Sequence, residues 1–299
     1  TGPAFLAPRF LARAPGGQLF VADRSLPGVY AIVRVDPATG NRTVVSGCAD
    51  AACTTVVGGG AAIGRLFGIA LEPTGGILVA DGLAVHRIDA ATGDRTLLSG
   101  CPDAGCAMPA GGGPAFGEPI EIAVHRSGAL YVTYRREDFA FGALRRIDPA
   151  TGDRTLVSGC EDLACNTVRG AGPRFLDLFG IAFDRDGSLL VSDGRLDALL
   201  RVDPESGDRT LLSGCADARC TSAAGAGPRL TEPLGFVVVP EPAVGGAAAV
   251  LSMLAIAAAR RRRAPSGPAG ATAAAAAARR RCWPPAASPP PRAGAPRGR

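Results

Sequence analysis

The stretch from Val35 to Cys48, VDPATGNRTVVSGC, occurs four times in the chain. The other copies are IDAATGDRTLLSGC from Ile88, IDPATGDRTLVSGC from Ile147 and VDPESGDRTLLSGC from Val202. Their first acids, Asp36, Asp89, Asp148 and Asp203, lie 53, 59 and 55 residues apart. Each copy is two short β-branched runs around a turn. Where Pro follows the Asp it fixes φ at the head of the turn, and Gly accepts the left-handed position near its end. The phrase therefore predicts a hairpin, repeated four times.

Two further strand-like runs precede each hairpin. The first is LFGIALEP from Leu66, PIEIAVHR from Pro119 or LFGIAFDR from Leu178. The second is GQLFVAD, GILVAD, GALYVTY or GSLLVSD. Four short strands per repeat, bounded by Gly, Pro and Asp, predict an all-β fold of β-propeller blades. The expected blades are residues 5–60, 61–114, 115–173 and 174–230, followed by a partial first strand at 231–239. TGPAFLAPRF at the start matches the connectors GGGPAFGEPI and GAGPRFLDLF, so Thr1 reads as a cut end inside a connector. Four complete blades then imply a fragment of a larger ring, or else a compact four-bladed ring; the fragment is the preferred reading.

Strand two ending in VAD or VSD, then a loop and an Arg-Ile/Val strand as in VADGLAVHRID, resembles the NHL-type propellers and their gluconolactonase-like (SMP-30-like) and lyase-like relatives. The resemblance covers residues 5–239. It bears on architecture and little on activity, because propellers host unrelated functions.

The chain has 299 residues, 32 basic residues that are all Arg, and a net charge of +5. The charges are segregated. Residues 1–242 hold 22 Arg against 27 Asp and Glu, whereas 243–299 hold 10 Arg and no acid. The mildly acidic body argues against nucleic acid as a partner.

Eight of the nine Cys repeat one spacing: Cys48/Cys53, Cys101/Cys106, Cys160/Cys165 and Cys215/Cys220. Each pair follows the Ser-Gly of a fourth strand. With two His in the chain, zinc binding is poorly served. One local disulfide per blade is the expectation, and it implies an oxidising compartment. Cys282 stands alone beyond the apolar run described next.

Behind the repeats lies VVVPEPAVGGAAAVLSMLAIAAARRRR, residues 237–263. Residues 243–259 are uncharged and mostly apolar; as a helix they would span about 25 Å, a short transmembrane segment. The Arg cluster that follows would face the cytoplasm. The order of Pro-Glu-Pro, apolar helix and Arg cluster resembles the PEP-CTERM sorting signal. That resemblance implies an exosortase-type processing enzyme as partner, acting near Pro240, Glu241 and Pro242, with Arg260, Arg261, Arg262 and Arg263 as the stop. It places the body in the cell envelope or outside the cell, after transient anchoring in the inner membrane. Residues 264–299 are an Ala/Pro/Arg tail that cannot build a core. A disordered tail and a frameshift or read-through product are both open.

The blades show little chemistry. His86 and His125 sit at non-equivalent positions, whereas the lyase-like relatives need a His-centred site. Gluconolactonase-like relatives bind a divalent metal through carboxylates and Asn; this chain has only Asn41 and Asn166. Asp184, Asp186 and Asp193 in FDRDGSLLVSD are the weak candidates for a divalent metal such as calcium; no other cofactor is expected. Asp23/Arg34, Asp81/Arg87 and Asp193/Arg201 suggest one ion pair per blade between strands two and three. Blade three breaks that pattern at Tyr134. With its loop RREDFAFGA it offers Tyr134, Phe139 and Phe141 as an exposed aromatic surface for a glycan or protein ligand. The preferred function is an extracytoplasmic, surface-sorted propeller with a binding or matrix role rather than an enzyme. The alternative is a lactonase-like hydrolase or a lyase with carboxylates in the central channel.

Overall fold

The computed structural model describes residues 1–238, apart from 27–28, 104, 115, 137–140 and 163–164. Thr1–Pro240 form one compact unit. The sorting residues Pro240, Glu241, Pro242 and Arg260–Arg263, the apolar run 243–259 and the tail lie outside the described residues. Among those described, no helix is long and apolar enough to cross a membrane.

The chain is all-β. Blade one holds β1 (Pro8–Arg13), β2 (Leu19–Leu26), β3 (Val29–Val35), β4 (Arg42–Cys48) and β5 (Val56–Val57). Blade two holds β6 (Leu66–Leu71), β7 (Ile77–Asp81), β8 (Ala84–Ile88) and β9 (Arg95–Gly100). Blade three holds β10 (Glu118–Val124), β11 (Leu130–Arg135), β12 (Gly142–Ile147), β13 (Arg154–Cys160) and β14 (Val168–Arg169). Blade four holds β15 (Leu178–Phe183), β16 (Leu189–Asp193), β17 (Ala198–Val202), β18 (Arg209–Cys215) and β19 (Ala223–Ala224). Strands pair antiparallel in chain order within each sheet, and the first strands of successive sheets touch, β1 with β6, β6 with β10 and β10 with β15. This arrangement is consistent with the blades of a β-propeller.

The hairpins form as their sequence dictates. Asp36 Oδ1 accepts the Ala38 N–H at 2.8 Å, and Asp89, Asp148 and Asp203 repeat the contact with Ala91, Ala150 and Glu205. Gly40 takes the turn's left-handed place at φ 68°. Apolar side chains from alternate strand positions fill the space between sheets: one cluster lies between blades one and two, one between two and three, one between three and four.

The short fifth strands are an addition to the four-strand expectation. All four cysteine pairs are joined as disulfides. The second cysteine of each, Cys53, Cys106, Cys165 and Cys220, has φ between 48° and 56°. That left-handed residue turns the chain back on itself. The connector then returns beside strand four, pairing Gly47 with Val57 in blade one and Gly159 with Arg169 in blade three. Blade two makes the same return as a single bridge, Gly100 to Ala110.

A bulge recurs at one place in every blade, where the register of strand three on strand four slips at Ile32/Val33, Val85/His86, Leu144/Arg145 and Leu199/Leu200. In the first three blades it accompanies a buried serine turned toward the next blade. Ser46 donates to Gly93 O at 2.7 Å, Ser99 to Gly152 O at 2.6 Å and Ser158 to Gly207 O at 2.6 Å. The arginine of the next Asp-Arg-Thr answers: Arg95, Arg154 and Arg209 donate to Ser46, Ser99 and Ser158 at 2.9, 2.8 and 2.7 Å. Each also reaches carbonyls of the intervening connector. Arg154, for instance, donates to Ala110 O and Pro114 O, both at 2.8 Å. A buried serine, a buried guanidinium and a Gly-rich loop thus lock neighbouring blades together.

Candidate functional site at the inner strands

The Asp residues that end strand two hold the connector rather than an arginine. Asp23 accepts the N–H groups of Leu6 and Ala7, Asp81 those of Gly64 and Arg65, and Asp193 those of Leu176, Asp177, Arg195 and Leu196. The expected ion pairs are therefore corrected for blades two and four. The register explains why: Asp81 lies opposite Ala84, while Arg87 lies opposite Leu78 and pairs with Glu72 at 2.7 Å. Asp193 lies opposite Ala198, while Arg201 lies opposite Leu190 and pairs with Asp184 at 2.5 Å. Burial pushes the Asp193 carboxyl above its ordinary range, and its backbone N–H partners oppose that rise.

The three candidate metal ligands are not brought together. Asp184 is engaged by Arg201, Asp186 accepts from Ser188 in the turn, and Asp193 sits at the far end of β16. Among the described residues no three His, Cys, Asp or Glu side chains are grouped to hold a metal ion.

The expected exposure of Tyr134 in blade three is also corrected. Tyr134 is 2% exposed. Its hydroxyl donates to Cys160 O at 3.0 Å and accepts from Arg145 at 3.1 Å. Arg145, 1% exposed, stacks 4.3 Å over the Tyr134 ring. The tyrosine thus fills the blade interior in place of an Asp. Phe139 lies outside the described residues. Phe141 is half-buried beneath Arg174, 4.5 Å from its ring. In blade two the position of Arg145 belongs to His86, opposite Val79 as Arg145 is opposite Val132. His86 is buried, with Nε2 3.4 Å from Asp81 Oδ2.

What the fold does assemble lies along the inner strands of blades two, three and four. Arg135, at the end of β11, donates to Glu118 at 3.0 Å and to Asp177 at 2.9 Å. Arg65 pairs with the same Glu118. Arg65 and Arg135 stand 5.3 Å from the centres of Phe67 and Phe179. One buried carboxylate, two guanidiniums and two phenyl rings so join three consecutive blades.

Glu121 follows on β10. The residue before the paired Ile is Gly68 in β6 and Gly180 in β15, but Glu121 in β10. The Glu121 side chain fills the room that Gly68 leaves, where an added β-carbon would collide with its carboxylate and backbone. Its carboxylate accepts the Ile122 N–H at 3.1 Å, and the Ile69 N–H assists. Among the described residues no cation pairs with it. The residue keeps some surface open while its carboxyl is enclosed between strands. Burial pushes the Glu121 pKa up to about 8, against the help of the two N–H groups.

These residues do not fit a divalent cation. Glu118 and Asp177 already face guanidiniums, so positive charge occupies their lone pairs, and Glu121 offers one protonated carboxyl.

Several solved structures are similar to this chain in fold. A gluconolactonase from Xanthomonas campestris is 18% identical over 72% of this chain and 65% of its own, with a TM-score of 0.49. A structural-genomics protein of unknown function from Bacteroides thetaiotaomicron is 15% identical over 75% and 52%, with a TM-score of 0.48. A calcium-binding regucalcin from Agrobacterium tumefaciens is 17% identical over 71% and 63%, with a TM-score of 0.44. The neighbours are gluconolactonase- and regucalcin-like β-propeller proteins, and the likeness is one of fold. The chain spans less than two thirds of their lengths. No protein-family model matches it, and no curated protein does.

Proposed function

We propose that the chain is the blade array of a propeller hydrolase acting on esters or lactones, with Glu121 as its proton carrier. The observation that carries this is the Glu121 carboxyl seated on an inner strand in the room left by Gly68, with no paired cation among the described residues; burial raises its pKa to about 8, so it is protonated at neutral pH. A general acid works best with a pKa near the working pH, and shifted carboxyls cluster at functional sites. In the proposed reaction water adds to the acyl carbon and the ring C–O bond breaks. The leaving alkoxide takes the Glu121 proton, and the attacking water returns one to the carboxylate. The product is a hydroxy acid, with no redox change. The test is hydrolysis of a panel of δ- and γ-lactones and aryl esters by wild type and Glu121→Gln. Turnover that falls as pH rises past about 8 and is lost in the variant is expected. Turnover unchanged by the substitution, or none in the wild type, overturns the reading.

A binding role has its own support. A groove of about 980 Å³ opens between the turns of blades two and three, lined by Glu72, Thr74, Arg87, Asp89, Arg126 and Pro149. Its lining mixes hydrogen-bonding groups with a larger share of apolar surface and is fixed by the Arg87–Glu72 pair, a combination that suits a glycan.

The proposed site of action is outside the cytoplasm. Four disulfides support an oxidising compartment. Pro240-Glu241-Pro242, the apolar run 243–259 and Arg260–Arg263 support sorting by an exosortase-type enzyme. Intact mass from the native envelope tests this: a chain ending near Pro242 is expected, and a full-length chain with free thiols contradicts it.

A further inference from the structure

Three of the four hairpins lead into strand four through Asp-Arg-Thr: Asp94-Arg95-Thr96, Asp153-Arg154-Thr155 and Asp208-Arg209-Thr210. Blade one alone reads Asn41-Arg42-Thr43. The packing of connector on hairpin does not ask for that change. Asp94, Asp153 and Asp208 each accept a connector N–H, from Gly59, Gly112 and Ala171, at 2.6, 2.5 and 2.7 Å. Asn41 Oδ1 makes the same contact with Thr1 N at 2.7 Å. A carboxylate does this work better than an amide, because a charged acceptor makes the stronger hydrogen bond. What the amide adds is a second polar atom, Nδ2, which has no acceptor among the described residues.

Asn-x-Thr with a residue other than Pro between is the spacing at which a glycan is joined to an asparagine amide, and the site must face solvent. Blade one presents it so. Gly40, at φ 68°, closes the turn, and Asn41 stands immediately before β4. Strand alternation puts Asn41 and Thr43 on one side of the chain and Arg42 on the other. Asn41 and Thr43 are both exposed, and Arg42 is half-buried. The Thr43 hydroxyl, like Nδ2, has no hydrogen-bond partner among the described residues. A neighbouring blade leaves this edge open. Asp94 and Thr96, Asp153 and Thr155, and Asp208 and Thr210 are all exposed, although a preceding blade packs beside each pair. Asn166, the other asparagine, precedes Thr167 and Val168, so it lacks the hydroxyl two residues on.

We propose that Asn41 Nδ2 is a glycan attachment site. The donor is a pyrophosphate-activated sugar. Its C1–O bond breaks and a C1–Nδ2 bond forms. The amide releases one proton, and the pyrophosphate leaves with the electron pair of the broken bond, so nothing is oxidised or reduced. Thr43, on the same side two residues on, is the hydroxyl that the transferase reads together with the amide. Oδ1 stays on the connector, so the glycan extends into solvent without disturbing the blade. The inference rests on the extracytoplasmic reading and is independent of the hydrolase reading.

Peptide mapping by mass spectrometry tests it, on unreduced protein from the native envelope fraction. The peptide that holds Asn41 should carry a glycan mass excess, and peptide-N-glycosidase should remove it and leave Asp. Asn41→Asp, which places there the residue of the other three blades, should lose the whole excess. Thr43→Val should lose it too, although the amide remains, whereas Thr43→Ser should keep it. Both positions are exposed, so folding is retained; near-ultraviolet circular dichroism checks each variant. An unmodified Asn41 overturns the proposal. Intact disulfides in the same digest would then leave the compartment reading standing, and free thiols would sink both. A mass excess that survives Thr43→Val, or that lies on another residue, also overturns the proposal.

Discussion

Arg154 of blade three donates to the Ser99 hydroxyl of blade two at 2.8 Å, and that hydroxyl donates onward to Gly152 O at 2.6 Å. One buried serine thus receives a guanidinium and grips the hairpin that carries it. The contact spans 55 residues of chain, so it stabilises the array and not merely one blade.

Arg154→Ala should therefore cost about 3 kcal/mol or more, because it leaves buried carbonyls without donors. Arg154→Lys should recover only part of this, since an ammonium cannot match the fork. Arg42→Ala should cost far less, because the Arg42 Nε has no hydrogen-bond partner among the described residues. Urea denaturation of the three variants gives the ranking; equal costs for Arg42 and Arg154 would contradict it.

Glu121 gives the fold a pH dependence. Between its ordinary value of 4.5 and about 8 the native state holds a proton that the unfolded state has released. Stability therefore falls as pH rises across that window, by at most about 1.4 kcal/mol per unit. Glu121→Gln should flatten the curve and be the more stable protein above pH 8. Thermal melts across the window check the sign.

Tyr134→Phe should cost about 1–2 kcal/mol, since it deprives Cys160 O of a donor and Arg145 of an acceptor. The same substitution should leave any glycan or protein binding unchanged, because the ring is buried. Calorimetry separates the two readouts.

Each disulfide closes a loop of sequence separation 5, which limits its contribution to about 2 kcal/mol. Cys101→Ala/Cys106→Ala should lower the melting temperature by several degrees without preventing folding. Failure to fold would mean that the left-handed Cys106 turn cannot form without the bridge.

Much of the fold was legible in the sequence. The recurring Asp-x-x-Thr/Ser-Gly signal marks every hairpin, and the apolar runs mark strands that the structure places where expected, except the partial strand expected at 231–239, of which residues 231–238 form no strand. The short strands β5, β14 and β19 were hidden, because two residues carry no periodicity and their pairing follows from a left-handed cysteine. The site was less legible. The Asp–Arg spacing suggested ion pairs, but spacing does not reveal which residues face across a ladder, and register sent Arg87 to Glu72 and Arg201 to Asp184. Tyr134, standing in the repeat's Asp place beside the loop RREDFAFGA, suggested an exposed ring; the buried Arg145 stacked on it left no sequence signal. Glu118 and Glu121 do not stand out in EPIEIAV as a site. A signal for Glu121 was present: it stands where the adjoining repeats have Gly68 and Gly180.

The most direct measurement is the titration of the Glu121 carboxyl by carbon-13 NMR on glutamate-labelled protein, compared with Glu121→Gln. A carboxyl resonance with its midpoint near 8, absent from the variant, is the predicted result. If every glutamate titrates in the ordinary range near 4.3, Glu121 holds no proton at neutral pH and the proposed acid is lost.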